Sequence, residues 1–190
     1  AVETMTELIE YYKGIFTILS SCASRQLEEV TFRRTVIPVQ ELLDAAGKYF
    51  KKLMKNRPER IELEIEPMEA KVIGDVNQLR FLLENLIDEA LTVREDGVIR
   101  LQARKDNEYV RFLFTDTRRE KSVEELNQLF YPNLARMTSG EKGELRGTEY
   151  LVCKQIIRDH DEFAGRRGCR INAEPAEGGG FTVYFTIPRR

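Results

Sequence analysis

No stretch of this sequence approaches the roughly 18 apolar residues that a membrane-crossing helix requires. It also carries no secretory leader pattern. It has no block of like charge. Lys and Arg total 30 against 32 Asp and Glu, for a net charge of -2, so the basic footprint of a nucleic-acid binder is missing. Cysteine is scarce and odd in number. Cys22, Cys153 and Cys169 show no C-x-x-C spacing, which excludes a disulfide framework or a zinc ribbon and reads as reduced, mostly buried thiols in a cytosolic setting. There is one histidine, His160. Internal repeats and low-complexity tracts are lacking.

What remains is 190 residues with 42% hydrophobic content, enough for one substantial core and an appended element. The chain begins at Ala rather than Met, which reads as a segment of something longer. The stretch Asp75 to Val93 organises the rest. Val76, Leu79, Leu82, Leu83, Leu86, Ile87, Ala90 and Leu91 recur at i, i+3, i+4 and i+7, the pattern of a helix with one buried face. Asp75 is placed to cap it by accepting an orphan amide hydrogen. Its polar face carries Glu84, Asn85, Asp88, Glu89 and Thr92, either a solvated surface or a set of oxygen ligands.

Around this helix the spacing predicts further elements. A long leading helix runs from Thr4 to about Gln26, with a stripe from Met5 through Leu8, Tyr12, Ile15 and Leu19 to Cys22. Its period near 3.5 seeks a partner helix. Strands are expected at 29–34, 60–66, 71–73, 98–104, 109–116, 169–173 and 181–187. Helices are expected at 39–56, 123–130 and 147–160, and a loop at 132–146. Several strands follow one another as hairpins, so the order gives a mixed sheet with helices on one face, an α/β sandwich preceded by a long helix. The division is a leading helix at 1–28 and an α/β domain at 29–190.

Six fragments in this order carry a resemblance. They are IELEIE at 61–66, GDVNQLR at 74–80, NLIDEALT at 85–92, DTRRE at 116–120 with LFYPN at 129–133, GTEYLVCK at 147–154, and IIRDH at 156–160 with EPAEGGGFTVYFTIP at 174–188. The chain resembles the ATP-binding domain of sensor histidine kinases, part of the group that includes gyrase, heat-shock chaperone and mismatch-repair ATPases. The likeness covers roughly Glu29 to Pro188. It implies an ATP site with Mg²⁺, in which Asp116 reads the adenine, Asn85 lies on the metal-binding helix and Gly147 opens the last phosphate turn. The leading helix resembles the second helix of a kinase dimerisation hairpin. His160 stands where such kinases often have a structural histidine, at a helix end, and the leading helix contains no phosphoacceptor His.

The departures from the pattern are chemical. The family's Mg²⁺-binding Asn is Glu89 here, and the glycines after the adenine-reading carboxylate are Arg118 and Glu120. The second glycine of the last box is Glu149. Glycine lets the backbone take φ > 0 and lets a nucleotide approach. A side chain in that conformation costs roughly 1–2 kcal/mol. A carboxylate about 4 Å from a phosphate charge costs on the order of 4 kcal/mol at an effective dielectric near 20, about a thousandfold in affinity. Against this, Arg118 and Arg119 could grip phosphates or could form a solvated turn, and Glu89 could ligate Mg²⁺.

Two readings follow. One is a degenerate histidine kinase-like signalling module, weak or inactive toward ATP, acting through its leading helix and other signalling proteins. The alternative is an active ATP-dependent protein-histidine kinase of a two-component system. A regulator-sequestering switch, like the anti-sigma kinases of this fold, rests on analogy alone. All place the segment in the cytoplasm, either free or as part of a membrane-anchored sensor, and make it a homodimer through the leading helix. Deleting residues up to about Arg25 is expected to yield a folded monomer by light scattering; a dimer surviving the deletion would place the interface elsewhere.

Overall fold

The computed structural model describes residues 4–7, 9, 32–132 and 148–190. The leading helix beyond residue 9, the first half of the strand expected at 29–34, the loop at 133–146 and Gly147 therefore lie outside the described residues. Residues 4–7 and 9 are helical, and Met5 and Ile9 are exposed.

A two-stranded antiparallel pair is made by β1 (Thr35–Pro38) and β3 (Lys71–Gly74). The main sheet holds β2 (Ile61–Ile65), β4 (Gly97–Asp106), β5 (Tyr109–Asp116), β6 (Ile171–Pro175) and β7 (Phe181–Pro188), in the order β2-β4-β5-β7-β6. Among the described residues only β2 and β4 run parallel. The helices are α1 (Val39–Met54), α2 (Val76–Ala90), α3 (Val123–Asn127) and α4 (Glu149–Phe163). The fold is the mixed α/β sandwich that the pattern predicts.

Alternation decides which face of the sheet is covered, since successive strand side chains point to opposite sides. Ile99, Leu101 and Ala103 of β4, Val110, Phe112 and Phe114 of β5, and Val183, Phe185 and Ile187 of β7 are all buried. Phe112 and Phe185 are register partners and stack with centroids 4.8 Å apart. The opposite face carries Glu64 bonded to Arg100 and Glu66 bonded to Gln102. α2 lies between α1 and α4, and its buried residues Leu79, Leu82, Leu83, Leu86 and Ile87 belong to the same core.

Residues 32–34 are not strand, which corrects the expectation for the described part of 29–34. The physical reason is competition for partners. Arg33 donates its amide to Asp75 Oδ2 at 2.9 Å, and Phe32 sets its ring edge-on to His160 at 4.8 Å. Pairing with β3 begins only at Thr35.

Asp75 caps α2 as expected, accepting from the amides of Asn77 and Gln78. Its own amide donates to His160 Nε2 at 3.1 Å, while His160 Nδ1 donates to the Ile156 carbonyl at 2.8 Å. His160 is fully buried. It therefore joins the start of α2 to the end of α4 as a neutral imidazole, the structural role expected of it. Burial holds its pKa down at about 4, against a weaker upward pull from the Ile156 bond and Asp75.

An unfolded imidazole titrates near 6.5, so between those values the unfolded chain binds the extra proton and stability falls as pH falls. The contribution is fully present above about pH 6.5 and is lost toward pH 4. Urea unfolding is expected to show a loss on the order of 2 kcal/mol between pH 7 and pH 5. The variant His160→Gln should be less stable at pH 7 but lack this component; an equal pH dependence in the variant would remove His160 as its source.

Candidate functional site

The site that the resemblance implies is built where β5 ends against the C-terminus of α2. Asp116 is the last residue of β5, and its carboxylate is only 2% exposed. A buried carboxylate needs a cation or several donors, and Arg118 supplies both. The Arg118 amide and Nε donate to Asp116 Oδ1 at 3.0 and 2.9 Å, and Nη2 donates to Oδ2 at 2.9 Å. The Arg118 side chain is itself 1% exposed.

The rest of the guanidinium is spent on backbone carbonyls at the end of α2 and in the turn that follows it. Nη1 donates to Val93 and Glu95, both at 3.0 Å, and Nη2 donates to Ala90 at 2.5 Å. The last carbonyls of a helix have no partner within it, and a cation there complements the helix dipole. Arg57 adds a second such bond, to the Leu91 carbonyl at 2.7 Å. The solvated-turn reading of Arg118 is thus corrected: its side chain turns inward because the end of α2 and the turn after it present carbonyls beside a buried carboxylate. Arg119 is half-buried as well, and its Nε and Nη2 are enclosed without a hydrogen-bond partner.

Two glycines make this packing possible, Gly97, which the pattern did not single out, and Gly180 of the hairpin turn that the sequence marks. Gly97 takes φ +147°, and a Cβ there would stand 2.5 Å from Arg118 Cγ. Gly180, in the triple-glycine turn, takes φ +84°, and a Cβ there would stand 2.1 Å from the Asp116 carbonyl oxygen. The Asp96-Gly97 dipeptide before a strand was the available signal for the first.

The remaining candidates are spread along α2 and α4. Asn85 is buried, and its Nδ2 donates back to the Phe81 carbonyl at 2.7 Å, one turn earlier. Glu89 is half-buried. Asp88 accepts the Tyr49 hydroxyl at 2.6 Å, and burial together with Asp88 raises the Tyr49 pKa. Glu149 stands in the first turn of α4 with Oε2 enclosed and without a hydrogen-bond partner. Burial first, then the nearby carboxylates of Glu149 and Glu89, push the Cys153 thiol up. Two of the three acidic substitutions, Glu89 and Glu149, therefore lie near the same α2–α4 contact, while Glu120 is exposed. Cys153 donates to the Leu82 carbonyl and is inert there; burial and Asp161 push Cys169 up to about 12. Phe130 is buried and meets Tyr150 edge-on. Tyr131 is exposed, with Lys154 Nζ 4.6 Å from its ring centroid. Gly147 lies outside the described residues. Among the described residues no group of three or more His, Cys, Asp or Glu is placed to hold a metal ion.

The structure thus brings Asp116 and Arg118 together, sets Asn85 against its own helix, and puts the carboxylates of Glu89 and Glu149 close to the α2–α4 contact. This arrangement does not fit a nucleotide held through Asp116: the carboxylate that would read the base is taken by the chain's own guanidinium.

The sequence model for histidine kinase-, DNA gyrase B-, and HSP90-like ATPases matches residues 74–190. The chain belongs to this family. Among solved structures, the nucleotide-free catalytic domain of the histidine kinase ThkA is 22% identical with a TM-score of 0.63, over 84% of this chain and 98% of that one. The mycobacterial sensor histidine kinase MprB is 18% identical with a TM-score of 0.64, over 83% and 99%. ThkA in complex with the response regulator TrrA is 20% identical with a TM-score of 0.64, over 99% of this chain and 52% of that one. At these identities the likeness is one of fold. Among curated proteins no sequence matches. The family binds ATP and Mg²⁺ in general.

Breaking a buried ion pair from one side costs about 3–5 kcal/mol. Arg118→Met is expected to destabilise by that amount in urea unfolding. The double variant Asp116→Asn with Arg118→Met should lose clearly less than the two single losses added together. Additive losses would mean that the pair is not coupled.

Proposed function

We propose that this chain is a signal-transduction module on the histidine kinase-like ATPase fold whose nucleotide site is closed by its own arginine. It binds ATP weakly or not at all. The observation that carries this reading is the Asp116–Arg118 pair, with side chains 2% and 1% exposed and a 2.9 Å bond between them. An incoming adenine would have to displace a guanidinium that also holds three backbone carbonyls. Stripping a buried charge of its partners costs several kcal/mol, more than a base–carboxylate hydrogen bond returns. Glu149 and Glu89 support the same reading, because they add negative charge where the resemblance places phosphates and metal.

On this reading the domain works as a scaffold. It dimerises through the leading helix and exchanges signals with other proteins of a two-component pathway, in the cytoplasm or as the cytoplasmic part of an anchored sensor. The ThkA complex with TrrA supports a response regulator as the kind of partner to test. The second reading, an active protein-histidine kinase, is favoured by the retention of Asn85 and Asp116, with Glu89 as metal ligand.

Calorimetric titration with ATP, with and without Mg²⁺, separates the two. No heat is expected from the natural sequence at millimolar ATP. Micromolar binding that requires Mg²⁺ would overturn the proposal. Arg118→Gly, checked for folding by circular dichroism, is expected to gain binding over the natural sequence.

A further inference from the structure

At the end of the sheet opposite Asp116 lies an open recess of about 440 Å³, lined by Ala70, Lys71, Lys105, Arg189 and Arg190. It is roughly 25 Å from Gly97 along β4. Its cations come from three separate parts of the chain and are held in place by backbone. Arg189 donates its amide to the Glu108 carbonyl at 2.8 Å and bridges to Val72. Arg190 donates its amide to the Lys71 carbonyl at 3.0 Å. Lys105 sits near the end of β4 opposite Val110.

None of these four cations is in an ion pair among the described residues. The nearby carboxylates are engaged elsewhere, Asp106 with Arg111 and Glu108 with Arg166. Four side-chain cations at one recess, against the single α-carboxylate of Arg190, stand out in a chain whose net charge is -2. Like charges brought together repel one another, and an anion at the recess relieves that repulsion.

We propose that this recess docks an acidic segment of a partner protein. Lys offers rotatable point charges and Arg a planar fork that suits carboxylates. The lining contains no aromatic ring on which a base could stack, as a single-stranded nucleic-acid site would. Its one apolar side chain is Ala70, too little to enter a lipid surface. The recess is open, so several anions presented together by one segment fit it better than one small anion, which keeps its water.

The test is a titration of the ¹⁵N-labelled 190-residue chain with hexaglutamate peptide, followed by amide chemical shifts. The expected shifts are at Lys71, Lys105, Arg189 and Arg190, fading as salt rises from about 50 to 300 mM. Lys105→Glu with Arg190→Glu changes two surface side chains and should weaken binding at least about tenfold. Lys52→Glu, on the exposed side of α1, should not. Absence of shifts at these residues with millimolar peptide overturns the proposal. So does tighter binding at the same residues by an oligothymidylate or by phosphatidylserine vesicles, which would assign the recess to nucleic acid or membrane.

Discussion

A carboxylate shut away from water must be answered inside the protein, and at Asp116 the answer comes from only two residues along the chain. The consequences reach well beyond the pair. Because Arg118 turns inward, its guanidinium meets the end of α2 and closes carbonyls that would otherwise face solvent or each other. The start of β4 must then pass close to the arginine stem, which demands glycine at 97. The hairpin between β6 and β7 must come down on the Asp116 backbone, which demands glycine at 180. One ionic contact therefore ties the central strand, the central helix and two turns.

The opposite end of α2 is organised by a different kind of contact, neutral and directional. Asp75 and His160 hold the helix start through hydrogen bonds whose donors and acceptors are fixed by burial. The residues after the leading helix join this same junction through Phe32 and Arg33. The central helix is thus gripped at its positive end by a carboxylate and at its negative end by guanidinium groups, as its dipole favours.

Much of the fold was legible because periodicity and capping are local. The α2 stripe, the Asp75 cap, the alternating strands at 61–65 and 109–116 and the glycine hairpin all declare themselves within a few residues. The strand expected at 29–34 failed at 32–34 because its alternation competes with docking partners far away in sequence. The inward turn of Arg118 could not be read for the same reason. Two adjacent arginines after a strand look like a solvated turn until the carbonyls of Ala90, Val93 and Glu95 are placed beside them. Sequence named the altered positions of the site; only packing shows which of them is filled from within.

The close approach of Gly97 to Arg118 has a bearing on how such a chain could have changed over time. Any L-residue at 97 drives its Cβ into the arginine stem, so arginine at 118 is compatible only with glycine at 97. Once settled, it denies position 97 every other residue. Replacing it by glycine would relieve the clash but not free position 97, because φ +147° there disfavours any L side chain by itself. Position 97 is thus held to glycine twice, by its own backbone and by the side chain that fills the neighbouring site.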